Sequence, residues 1–214
     1  MKAFVSWSGG KDCTLALYRF VKNIPGAEII LLNMIRQKEG NAHGLDSSFV
    51  QAQAKAMQVS LLQPLVTGSY EQNFKEVLHN FKQQGIETGI FGDIYLQEHR
   101  AWIERACSAC GIKAEFPLWN EDTTVLMQEF VNAGFKTIVI AVHKEKLEAS
   151  FLGKEINPSF VDKIKIIPNV DVCGENGEYH TFVFDGPLFK YPVSFIKENV
   201  IERGNHYFLN LKQM

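Results

Sequence analysis

The sequence predicts an α/β fold: a parallel sheet with helices on both faces, followed by a smaller C-terminal α+β domain. Three observations carry that reading. Strand and helix signals alternate from residue 3 to residue 116. The early strand candidates are short apolar runs, as expected where a strand is covered on both faces. After Trp119 the alternation gives way to a mixed order that ends in a strand.

The first run, Ala3 to Val5 with Ser6 and Trp7 at its end, is too short for a helix and reads as a buried strand. Beyond Asp12, Leu15, Leu17, Tyr18 and Val21 approximate a helical stripe. Glu28 to Ile35 is a second buried strand, and a polar, glycine-containing loop runs from it through His43 and Gly44. Asp46 or Ser47 can cap a helix carrying Phe49, Ala52, Ala56 and Met57. Leu61 to Val66 is a strand with Pro64 inside it, hence an edge strand or an irregular one. Tyr70 to Gln84 repeats Phe74, Val77, Leu78 and Phe81 and is stopped by Gly85. Thr88 to Phe91 is a strand ending in Gly92 and Asp93, Leu96 to Cys110 a helix stopped by Gly111, and Ile112 to Phe116 a strand leading to Pro117. The second part reads as a helix over Thr123–Ala133, a strand over Thr137–Val142 and a helical section near Asn157–Lys163. A turn and mixed-polarity strand within residues 169–192 and a final strand over His206–Leu211 complete it. A boundary near residue 120 divides domains 1–120 and 121–214.

The 214 residues fit one sizeable domain, or one domain with a small appendage, and 46% hydrophobic with 21% charged residues allow an ample core. A formal charge of −2 supplies no bulk attraction to nucleic acid or anionic membrane. No apolar run approaches the roughly 20 residues that span a bilayer, and the start MKAFVSWSGG lacks the basic and apolar regions of a signal peptide. Cys13, Cys107, Cys110 and Cys173 are too few and too scattered for a disulfide scaffold, which points to a reducing cytoplasm. Cys107 and Cys110 form a C-x-x-C without the second pair a zinc site needs, and packing is their better reading.

The turn Ser8-Gly9-Gly10-Lys11-Asp12 carries the chemistry. A glycine-rich link from strand to helix aims backbone N–H groups and the positive end of a helix dipole at one point, which suits phosphate. It is not a Walker A loop, because Asp12 follows Gly10-Lys11 and Val5 stands where the first glycine is required. Nor is it a dinucleotide fingerprint, since Gly9 and Gly10 are adjacent and no third glycine follows at the required place. In a parallel sheet ligands gather outside the carboxyl ends of the strands. Ser6, Ser8, Asn33, Gly92 and Asp93 all fall at such ends.

Ser8 to Asp12 resemble the SGGKDS loop of the N-type ATP pyrophosphatases, the PP-loop group that includes asparagine synthetase, GMP synthetase and tRNA-thiolating enzymes. The resemblance implies an adenine nucleotide alpha-hydrolase-like, Rossmann-like fold that binds ATP. Gly9 and Gly10 then approach the β- and γ-phosphates, Ser8 adds a hydroxyl donor, Lys11 places a point charge on the departing pyrophosphate, and Asp12 helps hold Mg²⁺. Cys13 departs from the pattern's serine, so a phosphate contact there is lost or passed to Thr14.

Three further stretches, from His43 (HGLDSSFVQAQAKAMQVSL), Phe91 (FGDIYLQEHRAWIERACSACGIKAEFPLW) and Cys173 (CGENGEYHTFVFDGPLF), resemble the diphthine–ammonia ligase family, the diphthamide-synthesis ATP-binding domain. What this implies is a ligase that adenylates a carboxylate, then lets ammonia displace AMP, with AMP and pyrophosphate as products. The acceptor would resemble diphthine on elongation factor 2 if the source is archaeal or eukaryotic. Without a glutaminase domain or an N-terminal nucleophilic cysteine, ammonia comes free or from a partner; homo-oligomerisation stays open. Glu175, Glu178 and His180 form an acceptor-side set for binding ammonium and moving protons, or else an acidic hairpin turn. Asp93 contacts substrate or metal, or caps a helix; His43 contacts phosphate or substrate, or is a surface turn. A tRNA-thiolating enzyme using Cys107, Cys110 or Cys173 and a non-catalytic adenine-nucleotide-binding regulator are the alternatives.

Overall fold

The computed structural model describes residues 1–36 and 45–214. His43, Gly44 and most of the loop after the second predicted strand lie outside the described residues. Along the chain run β1 (Lys2–Ser6), α1 (Lys11–Asn23), β2 (Glu28–Leu32), β3 (Ile35–Arg36), α2 (Ser47–Met57), β4 (Ser60–Leu62), β5 (Leu65–Val66), α3 (Tyr70–Gln83), β6 (Thr88–Ile90), α4 (Gln97–Ala109) and β7 (Lys113–Glu115). Then follow α5 (Thr123–Asn132), β8 (Lys136–His143), a 3-10 turn (Ala149–Phe151), α6 (Pro158–Lys165), β9 (Tyr179–Asp185), β10 (Phe195–Arg203) and β11 (His206–Gln213). Two compact units divide the described chain: residues 1–8, 12–36 and 59–120, and residues 9–11, 45–58 and 121–214.

The first unit is built on a five-stranded sheet ordered β4-β2-β1-β6-β7, every pairing parallel. Parallel neighbours require crossovers, and the right-handed rule puts α1 on one face and α3 and α4 on the other. Phe74, Val77, Leu78 and Phe81 of α3 and Ile103, Ala106 and Cys107 of α4 pack with Phe4 of β1 in one buried cluster. Ala3 and Val5 are equally buried and, by strand alternation, face the α1 side. Helices therefore cover both faces of the parallel sheet, as its apolar strands predict.

Two predicted strands break at the same level. Pro64 has no N–H to donate, so residues 61–66 divide into β4, at the sheet edge, and β5. The predicted strand 28–35 likewise ends at Leu32: the Asn33 N–H reaches the Leu62 carbonyl at 3.0 Å, and Ile35 bonds to the Pro64 carbonyl at 2.9 Å. Ile35–Arg36 then pairs with Leu65–Val66 as a separate two-stranded sheet.

The second unit carries an antiparallel sheet ordered β10-β11-β8-β9. Its centre is β8, buried from Thr137 to Val142. Asp122 and Asn157 cap α5 and α6 by accepting from the Val125 and Phe160 amides. α2 groups with this unit because Phe49 packs edge-on against Phe182 of β9, ring centres 5.1 Å apart. Strand β10 is an addition to the sequence reading. It forms a hairpin with β11 through Gly204-Asn205, with Arg203 opposite His206 and Gly204 at φ 56°.

Candidate functional site

In the first unit, the strand order reverses between β1 and β6, the crevice where open α/β sheets bind ligands. Ser8 follows β1 there, and Gly92 and Asp93 follow β6. Gly92 is forced by contact: a Cβ on it would lie 2.7 Å from the Cys13 nitrogen and 2.8 Å from the Asp12 carbonyl carbon. The start of α1 thus rests backbone to backbone on the end of β6, which keeps Asp12 and Cys13 at the crevice. Ser8 Oγ and Cys13 Sγ sit 3.5 Å apart. Ser6 is the last residue of β1 and pairs with Leu32. Asn33 is buried and stitches the strand ends together, donating to the Trp7 carbonyl at 2.8 Å and accepting from Gln63 at 3.1 Å.

Asp93 does not cap α4. The N-cap position is Leu96, with no side-chain cap bond, and Asp93 instead pairs with His99 Nδ1. The His99 ring stacks on Trp102 at an interplanar angle of 6°.

Residues 9–11 group with the second unit. The Gly9 carbonyl accepts from the Val183 N–H at 3.0 Å and from Gln53 Nε2 at 2.9 Å. Lys11 is buried, donates its backbone N–H to Thr181 Oγ1 at 3.0 Å, and holds its ammonium 5.3 Å above the Tyr179 ring centre. The structure describes Gly10 as the residue between these two tethers. At Gly9, φ is +85° and a Cβ would lie 2.7 Å from Leu45 Cδ2, so this position suits a residue without a side chain.

The segment from Asp171 to Glu178 is held from inside. Asp171 Oδ1 accepts from the Cys173 and Glu175 amides at 2.9 and 3.1 Å, and its Oδ2 accepts from Thr123 Oγ1 at 2.9 Å. Glu178 is fully buried and accepts from the Asp171 amide at 3.2 Å and the Asn176 amide at 2.9 Å, with Lys146 Nζ 3.7 Å away. Lys146 also donates to the Asn176 carbonyl at 2.8 Å, and the Tyr179 hydroxyl donates to the Val172 carbonyl at 2.5 Å. Gly174 (φ +71°) lies under the Tyr179 ring, which a Cβ would meet at 2.9 Å. Sequence reasoning places Glu178 among the catalytic groups; its buried carboxylate is committed to the loop backbone, whereas Glu175 is only half-buried.

His180 stands apart from Lys11. Alternation along β9 sets Tyr179 and Thr181, which meet Lys11, on the face opposite His180 and Phe182. His180 stacks on His206 with ring centres 5.8 Å apart, and His143 meets His206 edge-on at 4.9 Å. His206 donates Nε2–H to the Gly177 carbonyl at 3.2 Å, because a carbonyl can only accept.

Burial makes the C-x-x-C thiols poor nucleophiles. Cys107 is fully buried, and burial first, then the neighbouring Cys110, pushes its thiol up to about 12 from 9.0. Burial also raises Cys110, which lies partly exposed with its sulfur 3.6 Å from the Lys75 carbonyl. A thiol that holds its proton more tightly when folded stabilises the fold fully below pH 9.0, and that contribution is lost as pH rises towards about 12. Alkylation of the folded protein at neutral pH, mapped by mass spectrometry, should therefore modify Cys110 well ahead of Cys107; equal rates would contradict the burial. Among the described residues no group of three or more His, Cys, Asp or Glu can hold a metal ion, and no helix is long and apolar enough to cross a membrane.

Gln53, Thr181, Asp171, Lys146 and His206 hold the candidate segments in place, and sequence reasoning does not single them out. One signal existed for Gln53: it sits four residues after Phe49 on the buried stripe of α2, where a polar side chain needs a reason.

Comparison with known proteins gives a consistent family. A family model described as the diphthamide synthase N-terminal domain matches residues 1–114, and one described as its C-terminal domain matches residues 122–213. A curated diphthine–ammonia ligase of Schizosaccharomyces pombe is 27% identical over 242 residues, covering 99% of this chain and 39% of that protein. Its Bos taurus counterpart is 28% identical over 230 residues, covering 94% and 85%. Among solved structures, one described as a predicted subunit of tRNA methyltransferase from Methanocaldococcus jannaschii superposes with TM-score 0.45 and 15% identity over 86% of this chain and 96% of that one. That likeness is too loose to carry an argument.

Proposed function

Because the chain belongs to the diphthamide synthase family, whose two domain descriptions match residues 1–114 and 122–213, we propose that it is an ATP-dependent amide ligase. A substrate carboxylate oxygen attacks the α-phosphorus, pyrophosphate leaves, and the acyl-adenylate forms. Ammonia then attacks the acyl carbon, AMP leaves, and the nitrogen gives up a proton to reach the amide. The observation that carries the reading is the turn Ser8–Asp12, which follows the carboxyl end of β1 at the reversal of strand order and opens α1.

The residue types suit a triphosphate: two adjacent glycines keep side chains off the turn, and the Lys11 ammonium is a buried cation over an aromatic face. In this reading Ser8, Gly9, Gly10 and Lys11 of the turn hold the β- and γ-phosphates, and Ser6, Cys13, Asn33, Gly92 and Asp93, at the strand ends of the first unit, are the further nucleotide-binding residues. Asp12 would hold Mg²⁺, which neutralises charge on the departing pyrophosphate. On the acceptor side Glu175 binds ammonium or takes the proton, Glu178 holds the loop that presents it, and His180 exchanges protons with solvent. The acceptor is a carboxylate of the diphthine kind, the substrate in the relatives' name, carried on elongation factor 2 where the source is archaeal or eukaryotic. Free ammonia is the nitrogen donor, and the cytoplasm is the compartment.

The test is the nucleotide product. With ATP, Mg²⁺, ammonium and a panel of carboxylates that includes diphthine-bearing elongation factor 2, AMP and pyrophosphate should accumulate in step with amide. ADP as product would overturn the reading, and ATP binding without turnover on diphthine would replace it with a nucleotide-binding regulator.

A further inference from the structure

We propose that Asp171 is the positioning residue of the acceptor-side loop: its carboxylate accepts from the Glu175 backbone amide and so fixes where the Glu175 side chain is held for ammonium. The inference rests on the reading of Glu175 as the ammonium-binding group and adds the residue that places it. Every residue involved belongs to the second unit.

The loop satisfies its backbone from within. Asp171 Oδ1 accepts from the Cys173 N–H at 2.9 Å and from the Glu175 N–H at 3.1 Å. Glu178 accepts from the Asp171 and Asn176 amides. The Gly174 and Gly177 amides bond to the Asp171 and Gly174 carbonyls at 2.9 and 3.0 Å. Six amides between Asp171 and Gly177 are thereby directed onto the loop's own acceptors. A loop that uses its N–H groups on its own carboxylates does not offer them to phosphate. Its ligand chemistry lies in the half-buried Glu175 carboxylate, which suits a cation.

Asp171 is itself held. Thr123 Oγ1 donates to its Oδ2 at 2.9 Å, so each carboxylate oxygen has a donor and the plane of the group is fixed. Thr123 opens α5, and its carbonyl accepts from the Cys173 thiol at 3.3 Å, so the first turn of that helix secures both residues. Glu178 grips the loop at Asp171 and Asn176, whereas the amide of Glu175 itself goes to Asp171. Positioning of this kind requires an oxygen acceptor at Oδ1, not a negative charge. Asparagine supplies that oxygen, and the Thr123 hydroxyl can rotate to accept from its amide nitrogen. Alanine supplies neither.

The experiment measures amide formation by the full chain on diphthine-bearing elongation factor 2, with ammonium chloride as nitrogen source, alongside thermal unfolding. Asp171→Ala should raise the KM for ammonium about tenfold while the KM for MgATP changes less than about twofold. Asp171→Asn should bring the ammonium KM back to within about threefold of wild type, which loss of a base or a metal ligand would not allow. Glu175→Gln alone should weaken ammonium. In that background Asp171→Ala should add less than about twofold, because it acts through the carboxylate already removed. If Asp171→Ala does not fold, Thr123→Val, which removes the donor to Oδ2, carries the test and should raise the ammonium KM about threefold. Three results would overturn the positioning role and leave the ligase reading in place. These are a wild-type ammonium KM in the folded test variant, an Asp171→Asn as impaired as alanine, or a full effect of Asp171→Ala in the Glu175→Gln background. A wild-type ammonium KM in Glu175→Gln would take ammonium away from Glu175, and this inference with it. A wild type that forms no amide would overturn the ligase reading as well.

Discussion

Lys11→Ala should stop pyrophosphate release while leaving the protein folded. Lys11 is 4% exposed, and its ammonium lies 5.3 Å over the Tyr179 ring. A cation removed from water keeps more of its attraction for phosphate than a surface lysine does, because less dielectric screening intervenes. The charge matters most as pyrophosphate departs, when negative charge builds on the leaving oxygens. Removing one preorganised charge of this kind costs about 10²–10³ in kcat. The turn itself should survive, since the tethers at Gly9 and at the Lys11 backbone do not use the lost side chain. Lys11→Arg should not restore activity, because a planar guanidinium is bulkier than the buried ammonium and presents its charge in a different geometry. The measurement is AMP and pyrophosphate formation at saturating ATP, with an unfolding scan. Turnover within tenfold of wild type would remove Lys11 from the chemistry.

Much of this was legible in the sequence because it is local. The strand-turn-helix around Ser8–Asp12 is written in a run of apolar residues, two glycines and a helical stripe, and those signals require no distant partner. The parallel sheet follows from repetition of that pattern. What escaped is set by residues far apart in the chain. That the Lys11 N–H is held by Thr181, 170 positions later, leaves no trace in the spacing around either residue. Glu178 looks like a free acid in the string GENGEYH, yet its neighbours' amides converge on it once the segment turns at Gly174 and Gly177. Strand β10 was missed for a different reason: FIKENVIER is largely exposed and carries four charged residues, so it lacks the alternation that marks a half-buried strand. The Gly204-Asn205 turn was its one clear sign.

Gly92→Ala should have the second-largest effect, and it separates the crevice from the core. The new Cβ would fall 2.7 Å from the Cys13 nitrogen, 2.8 Å from the Asp12 carbonyl carbon and 3.0 Å from the Asp12 oxygen. All three are backbone atoms in the first turn of α1, so no side-chain rotation relieves the contact; the helix must slide off β6 by several tenths of an ångström. Gly92 has no positive φ that would strain alanine, which leaves steric contact as the cause. Overpacking of this type destabilises by about 1–3 kcal/mol. Activity should fall further than stability implies, by about 10²-fold, because the displaced atoms are those that position Asp12. Gly89→Ala, three residues earlier, is the control. Its Cβ meets the Phe4 and Phe91 rings rather than the helix start, so it should lower the unfolding temperature without a selective loss of ATP affinity. If both variants lose stability alike but Gly92→Ala keeps wild-type affinity for MgATP, the close approach of α1 to β6 serves packing alone. A selective loss in Gly92→Ala would instead tie nucleotide binding to the contact between the start of α1 and the end of β6, where strand order reverses.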